Sequence, residues 1–128
     1  MPALASPEWV DAIDGALRAV ARPQGASTGF VVEYRMVDRD GSAVSYHVRA
    51  DAAGYRASAG TTTATTATVT MDRSVALGLI RGEREAHQEM LMGTIAVDGD
   101  TIALVEAQAD IAVIQAAIAA VPVDADEN

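Results

Sequence analysis

The hydrophobic pattern of this chain changes its period, and that change limits the folds it can adopt. From Thr28 onward, apolar side chains alternate with polar or small ones. One side of this alternation carries Phe30, Val32, Tyr34, Met36, Val44, Tyr46 and Val48. Strict alternation is typical of strands that bury one face, whereas the segments on either side have the three-to-four-residue spacing of helices. The pattern therefore predicts a sheet with one apolar face that helices cover.

Turn and cap residues divide the chain into elements. A capping Ser6 and Pro7 indicate a first helix, Ser6 to Ala21, that ends before Pro23 and Gly25. Asp38-Arg39-Asp40-Gly41 predicts a hairpin turn between the first two strands. Further elements are expected at Tyr55–Ala59 (strand), Thr61–Met71 (strand), Asp72–Gly82 (helix capped by Asp72), Glu85–Met92 (helix), Thr94–Asp98 (strand) and Thr101–Val121 (helix capped by Asp100).

This order predicts an α+β fold, a five-stranded antiparallel-rich sheet covered on one face by helices. The length of 128 residues fits a single domain over 1–128. Within it, residues 124–128 form an acidic tail.

Composition excludes several kinds of chemistry. The chain has no Cys, and its nine basic residues are all Arg, so thiolate metal sites and catalytic lysines are absent. A net charge of −9 without a cationic stripe argues against nucleic acid as a partner. With no signal peptide or long apolar run, we expect a soluble, cytoplasmic protein, and the Ala-rich, Lys-free composition suggests a bacterial one.

The polar residues form no recognisable catalytic set. His47 and His87 are isolated and are expected on solvated surfaces, as are Glu33 and Arg35 on the outer face of the sheet. Asp38 and Asp40 with Gly41 fail the ligand spacing of a calcium loop, and Asp98-Gly99-Asp100 fits a turn before a helix. We therefore predict no catalytic residues, no metal and no cofactor.

The residues from Ala64 to about Glu106 resemble the sterol carrier protein type-2 family. The resemblance rests on three stretches in order: Ala67-Thr68-Val69-Thr70-Met71-Asp72, Leu77-Gly78-Leu79-Ile80-Arg81-Gly82-Glu83, and Met90-Leu91-Met92-Gly93-Thr94-Ile95-Ala96-Val97-Asp98-Gly99-Asp100. It implies an apolar tunnel between sheet and helices that binds fatty acids, fatty acyl-CoA, sterols or other lipids without chemistry. The chain departs from the family pattern at Thr94, where a basic residue is frequent, and at Met90, where an aromatic is.

Within that resemblance, the expected ligand-binding side chains come from the inner sheet face and the covering helices. They are Val32, Tyr34, Met36, Tyr46, Val69, Met71, Leu79, Met90, Ile95, Val97, Val105 and Ile111. The elements that carry Met36, Met71, Met90 and Met92 are expected to converge. Met side chains adapt their shape to irregular cavities and to variable ligands. Only Arg81 and Arg84 are obvious partners for an acyl-CoA head. With 27 Ala and five aromatic residues, the chain has few large side chains to fill its interior.

The first hypothesis is a non-enzymatic carrier of a hydrophobic small molecule, with no stable insertion into membranes. A second hypothesis is an accessory protein, or a cyclase-like enzyme, that shapes an apolar biosynthetic intermediate mainly by positioning it. A third is an oligomerisation module, for example a homodimer, with a collapsed cavity. In that case the contact would use the apolar stripe Ile102, Val105, Ile111, Ile114, Ile118 and Val121 of the last helix.

Overall fold

Five strands and five helices make up the described part of the chain in a computed structural model. It describes residues 3–23 and 29–123, with the side chain of His87 excepted. The elements are α1 (Pro7–Arg18), β1 (Phe30–Val37), β2 (Ala43–Asp51), β3 (Gly54–Ala59), β4 (Ala67–Asp72), α2 (Arg73–Ile80), α3 (Ala86–Met92), β5 (Ile95–Gly99), α4 (Thr101–Glu106) and α5 (Gln108–Ala119). The predicted acidic tail, and the predicted boundaries at Gly25 and Thr28, lie outside these residues.

The strands form one open mixed sheet in the order β3-β2-β1-β4-β5. The pairing of β1 with β4 is parallel, and the other three pairings are antiparallel. The α+β class and the antiparallel-rich, five-stranded sheet are therefore confirmed. The parallel pair arises because residues 60–66 carry the chain from edge strand β3 across two strands to β4.

That crossover explains why β4 is shorter than predicted. The expected strand began at Thr61, whereas the observed strand begins at Ala67. Residues between them follow the outer face of the sheet, where the Gly60 N–H donates to Ser45 O (2.8 Å) and the Thr66 N–H to Val31 O (2.7 Å). Thr residues favour strands by propensity, but here the connection between distant strands decides their conformation.

Local signals set most helix and turn boundaries. The Trp9 N–H donates to the Ser6 hydroxyl (3.2 Å), and the Ala103 N–H donates to the Asp100 carboxylate (3.0 Å), so both predicted caps are confirmed. Asp72 precedes α2 but accepts no capping hydrogen bond from it. At the β1–β2 turn the Gly41 N–H donates to Asp38 O (2.9 Å), with Gly41 at a φ of 86°.

The core lies between the inner sheet face and the helices. Trp9, Ile13 and Leu17 of α1 are fully buried against it. Ile114 and Ile118 of α5 and Val75 and Leu77 of α2 join the same cluster. Helices therefore cover this face, as the alternation of the strands requires.

The predicted helix Thr101–Val121 is two helices. Residue Ala107 (φ −94°, ψ 14°) separates α4 from α5, and its N–H donates to the carbonyls of both Ala103 and Leu104. Because of this break, Ile102 and Val105 do not continue the buried face that Ile114 and Ile118 form; they are 71% and 64% exposed. The predicted stripe is therefore not one continuous face, because the break separates Ile102 and Val105 from Ile114 and Ile118.

Among the residues described, no helix is both long enough and apolar enough to span a bilayer.

Candidate functional site

A half-buried apolar row crosses the middle of the inner sheet face. Tyr46 pairs with Tyr34, Tyr34 with Val69, and Val69 with Val97, so the four side chains lie side by side on β2, β1, β4 and β5. We call them the central row. Tyr46 is 5% exposed, whereas Tyr34, Val69 and Val97 each retain accessible surface. The accessible part of the row therefore lies on β1, β4 and β5.

The rows on either side are buried on β1, β4 and β5, whereas Val44 on β2, beside Met36, is half-buried. On one side Val48, Val32 and Ala67 are at most 2% exposed. On the other side Met36, Met71 and Ile95 are at most 7% exposed. On β1, β4 and β5 the accessible apolar surface of the inner face thus lies in a stripe between two buried rows, which is a shape that suits an elongated apolar molecule.

The helical cover accounts for this difference across the sheet. Helix α1 closes the β1–β3 half with side chains that are fully buried. Helix α4, in contrast, has no buried residue, and Leu104 and Ile111 are only half-buried where they pack against the core. The part of the inner face that carries Val69 and Val97 is also less buried than the part that α1 covers.

Three aromatic rings line the closed end of the central row. Tyr34 stacks on Tyr46 with ring centroids 5.0 Å apart and planes 20° apart. Trp9 meets Tyr46 edge-on, with centroids at 5.1 Å and planes at 81°. Burial raises the pKa of Tyr34 to about 12 and that of Tyr46 well above its usual value, so both phenols are neutral at pH 7.

Ten of the twelve predicted ligand-binding residues belong to the core cluster or pack against it. Those in the cluster are Val32, Met36, Tyr46, Met71 and Ile95, and those packed against it are Tyr34, Val69, Leu79, Val97 and Ile111. The structure does not bring Met90 and Val105 to this face, since they are 50% and 64% exposed.

The methionines do not converge as expected. Met36 and Met71 are register partners on β1 and β4 and are buried. Met90 and Met92 of α3 are 50% and 59% exposed, together with Leu91 at 76%. Helix α3 turns Glu89, rather than its methionines, toward the protein, contrary to the ligand-binding position predicted for Met90.

Two acidic residues are buried, and one of them, Glu33, was expected on a solvated surface. Glu33 lies on the outer sheet face, as predicted, but it is 6% exposed because the crossover covers it and the Thr62 N–H donates to it (3.2 Å). Glu89 is 4% exposed and accepts from Arg84 (3.1 Å) and the Thr94 hydroxyl (2.7 Å). Each of these carboxylates is buried by hydrogen-bond donors that lie outside its own strand or helix.

The two arginines proposed as partners for an acyl-CoA head group, Arg81 and Arg84, each lie beside an acidic residue. Arg84 donates to buried Glu89, and Arg81 lies 3.7 Å from Glu83. Both belong to the segment between α2 and α3, at the protein surface. His47 is half-buried on the outer face, and its Nδ1 lies 3.0 Å from Gly60 O.

Two buried carboxylates that the sequence pattern did not single out fasten helices to edge strand β3. Asp14 of α1 accepts from the Ala57 N–H (2.8 Å) and from Arg56 (3.2 Å) at one oxygen, and from Arg18 (2.6 Å) at the other. Asp110 of α5 accepts from the Tyr55 hydroxyl (2.5 Å) and from Arg22 at both oxygens. Asp110 stands four residues before Ile114 and eight before Ile118, so this spacing was the signal that it shares the buried side of α5. These groups are structural, because each oxygen is occupied by a protein donor.

Solved structures with the same architecture define the fold class. The open five-stranded mixed sheet with helices on one face matches a crystal structure of sterol carrier protein 2 with a TM-score of 0.71 and 16% identity, over 93% of this chain and 99% of that one. The chain therefore has the sterol carrier protein 2 fold, and the resemblance seen in the sequence is confirmed at the level of the fold.

Two further structures with this fold are informative. Palmitated SCP2L2 from Aedes aegypti matches with a TM-score of 0.64 and 18% identity, covering 83% of this chain and 93% of that one. UbiJ-SCP2, a ubiquinone synthesis protein, matches with a TM-score of 0.57 and 17% identity, covering 87% and 96%. No protein-family model and no curated protein sequence matches the chain.

Proposed function

We propose that this protein binds and carries a hydrophobic small molecule that lies along the central row. The observation that carries the proposal is the accessible apolar stripe Tyr34–Val69–Val97 between two buried rows of a one-sided sheet. Removing an aliphatic chain from water contributes about 0.8 kcal/mol per methylene, so such a stripe favours long apolar ligands. The palmitated neighbour of the same fold supports this interpretation.

Binding without chemistry fits the residues around the row. The inner sheet face carries aliphatic and aromatic side chains, and the buried carboxylates Asp14 and Asp110 are fully engaged with protein donors elsewhere. General acid–base catalysis needs a titratable group within hydrogen-bond reach of the substrate. We therefore infer that the ligand leaves the protein unaltered.

Displacement of Nile red, a neutral dye that fluoresces in apolar sites, tests this proposal. We expect palmitic acid or a similar lipid to compete with the dye, and native mass spectrometry to detect the lipid bound to the folded protein. A folded protein that binds neither dye nor lipid would contradict the proposal.

Adjacent residues on β5 offer a matched pair of variants. Val97→Glu places a charge on the central row, whereas Ala96→Glu places the same charge on the opposite, exposed face. We expect the first variant to lose lipid binding and the second to retain it. Val97→Ser and Ala96→Ser make the same comparison with less disturbance to folding. Equal lipid affinities of the two folded variants would argue against the central row as the binding site.

A second function is supported by the neighbour from ubiquinone synthesis. In this case the chain presents an apolar biosynthetic intermediate to enzymes rather than carrying a lipid between sites. Recovering a copurified ligand and determining its mass distinguishes the two, since an aromatic or isoprenoid precursor favours the accessory function and a fatty acid favours carriage.

A further inference from the structure

The aromatic end of the central row holds polar groups that find no partner among residues 3–23 and 29–123. Among the described residues, nothing hydrogen-bonds the hydroxyl groups of Tyr34 and Tyr46. The Trp9 Nε1–H, on the ring that meets Tyr46, is fully buried and also has no partner there. An enclosed N–H such as that of Trp9 is nearly always hydrogen-bonded, because an unmade bond costs about 1–3 kcal/mol, whereas the two tyrosine hydroxyl oxygens are not fully enclosed and can be reached by a molecule from outside. The aromatic cluster thus indicates a place where a ligand supplies a missing partner.

The two tyrosines are arranged to act together. They are register partners on adjacent strands, and their rings are stacked 5.0 Å apart with nearly parallel planes. Side chains on one sheet face project in the same direction, so the two hydroxyls reach a similar height above the sheet. Both hydroxyl groups can therefore donate a hydrogen bond to a single ligand oxygen that lies between them.

The third tyrosine of the chain shows what a satisfied hydroxyl looks like in this protein. Tyr55 also lies on the inner face and is 1% exposed, yet its hydroxyl donates to Asp110 at 2.5 Å. The fold therefore supplies a partner where the hydroxyl is structural. At Tyr34 and Tyr46 the described residues supply none, although Tyr46 is 5% exposed.

The surroundings favour an uncharged ligand group. The strand residues that share the inner face are apolar or aromatic, and Arg22, Arg56 and Arg84 are engaged with Asp110, Asp14 and Glu89 elsewhere. A carboxylate or phosphate beside the tyrosines would lose its hydration without gaining a cation, which is costly. A carbonyl or hydroxyl oxygen loses less and accepts a phenol O–H directly.

We propose that Tyr34 and Tyr46 form a recognition site for a neutral oxygen, so that the preferred ligands are apolar ketones or alcohols rather than lipid anions. This inference rests on the proposed function, since it names the polar end of a ligand whose apolar part lies along Val69 and Val97. The inference predicts that the protein selects ligands with a neutral oxygen over lipid anions, in addition to binding their apolar part.

The test compares three probes of equal chain length: octane, n-octanol and methyl hexyl ketone, each competing with Nile red. Phenylalanine variants keep the rings and remove the hydroxyls. We expect Tyr34→Phe and Tyr46→Phe each to weaken binding of the ketone and the alcohol about 2- to 10-fold, the range of one neutral hydrogen bond. Octane binding should stay the same or tighten. Tyr55→Phe removes a hydroxyl that is already bonded and should leave the relative affinities of the three probes unchanged.

The outcomes separate this inference from the function it rests on. If no probe binds the folded wild-type protein, the proposed function fails. If all three bind and the Phe variants change octane and ketone binding by the same factor, the apolar site stands and the tyrosine site is wrong. Octanoate gives one further comparison. An affinity for octanoate that falls with Tyr34→Phe as much as the ketone affinity does would contradict selectivity for a neutral oxygen.

Discussion

The hydroxyl of Tyr55 donates a 2.5 Å hydrogen bond to the carboxylate of Asp110, joining edge strand β3 to helix α5 across 55 positions of sequence. Arg22 donates to both oxygens of the same carboxylate, at 3.0 and 2.8 Å. Asp110 is fully buried, so the charge depends on these donors for its stability in the interior.

Tyr55→Phe is expected to lower the free energy of unfolding by about 2 kcal/mol, because hydrogen bonds to buried charged groups contribute roughly 1.5–3 kcal/mol. Urea unfolding monitored by circular dichroism measures the change. Tyr34→Phe is the matched control, since its hydroxyl has no partner among the described residues, and it should change stability by less than about 0.5 kcal/mol. Equal losses in the two variants would contradict a specific contribution from the Tyr55–Asp110 bond.

Alkaline pH is expected to destabilise the protein through its tyrosines. Burial raises the pKa of Tyr34 and of Tyr55 to about 12, with the Asp110 carboxylate adding to the shift at Tyr55, and it raises the pKa of Tyr46 well above its usual value. In the unfolded chain these phenols ionise near pH 10. A raised pKa means that the folded state prefers the neutral phenol, so this stability is complete below about pH 10 and declines as pH rises toward 12.

Absorbance of the phenolate during a pH titration, followed in parallel with circular dichroism, measures this dependence. We expect almost no tyrosine ionisation near pH 10 while the fold persists, and ionisation at higher pH together with unfolding. A folded protein in which one or more tyrosines titrate near pH 10 would overturn the assignment, and the Tyr→Phe variants would identify the residue.

Two glycines predict opposite responses to alanine. Gly99 ends β5 with a φ of +106°, and a Cβ there would lie 2.6 Å from Thr66 O, the acceptor of the Asp100 N–H. Gly99→Ala is therefore expected to cost about 2 kcal/mol or more through backbone strain and lost pairing with β4. At Gly15, inside α1, an added methyl group would meet nothing within 4 Å, so Gly15→Ala should stabilise the helix by about 0.5–1 kcal/mol.

Thermal unfolding of both variants and the wild type checks the pair. A lower midpoint for Gly99→Ala and a higher one for Gly15→Ala are expected. A shift in the same direction for both would show that the close approach at Thr66 does not limit position 99.

Alternation alone was enough to predict the inner sheet face. Phe30, Val32, Tyr34 and Met36 share that face, as do their partners on β2, because side chains in a strand point alternately to opposite sides. The caps at Ser6 and Asp100 were equally predictable, since the bonds they accept come from residues three positions away. These features depend on neighbours in sequence, and the sequence therefore contains them directly.

The tertiary structure decided the rest. Asp110 can be buried because Tyr55 and Arg22, which are distant in sequence, donate hydrogen bonds to its carboxylate. Glu33 is buried because the crossover passes over it. The break at Ala107 likewise separates Ile102 and Val105 from the buried face of α5, although a continuous helical period placed them on one stripe with Ile114 and Ile118. Amphipathic spacing determines which residues share a face, whereas the burial of that face depends on which distant element packs against it. The accessibility of Tyr34, Val69 and Val97 is decided in the same way, because the alternation of the strands requires an apolar inner face but does not determine how completely the helices cover it.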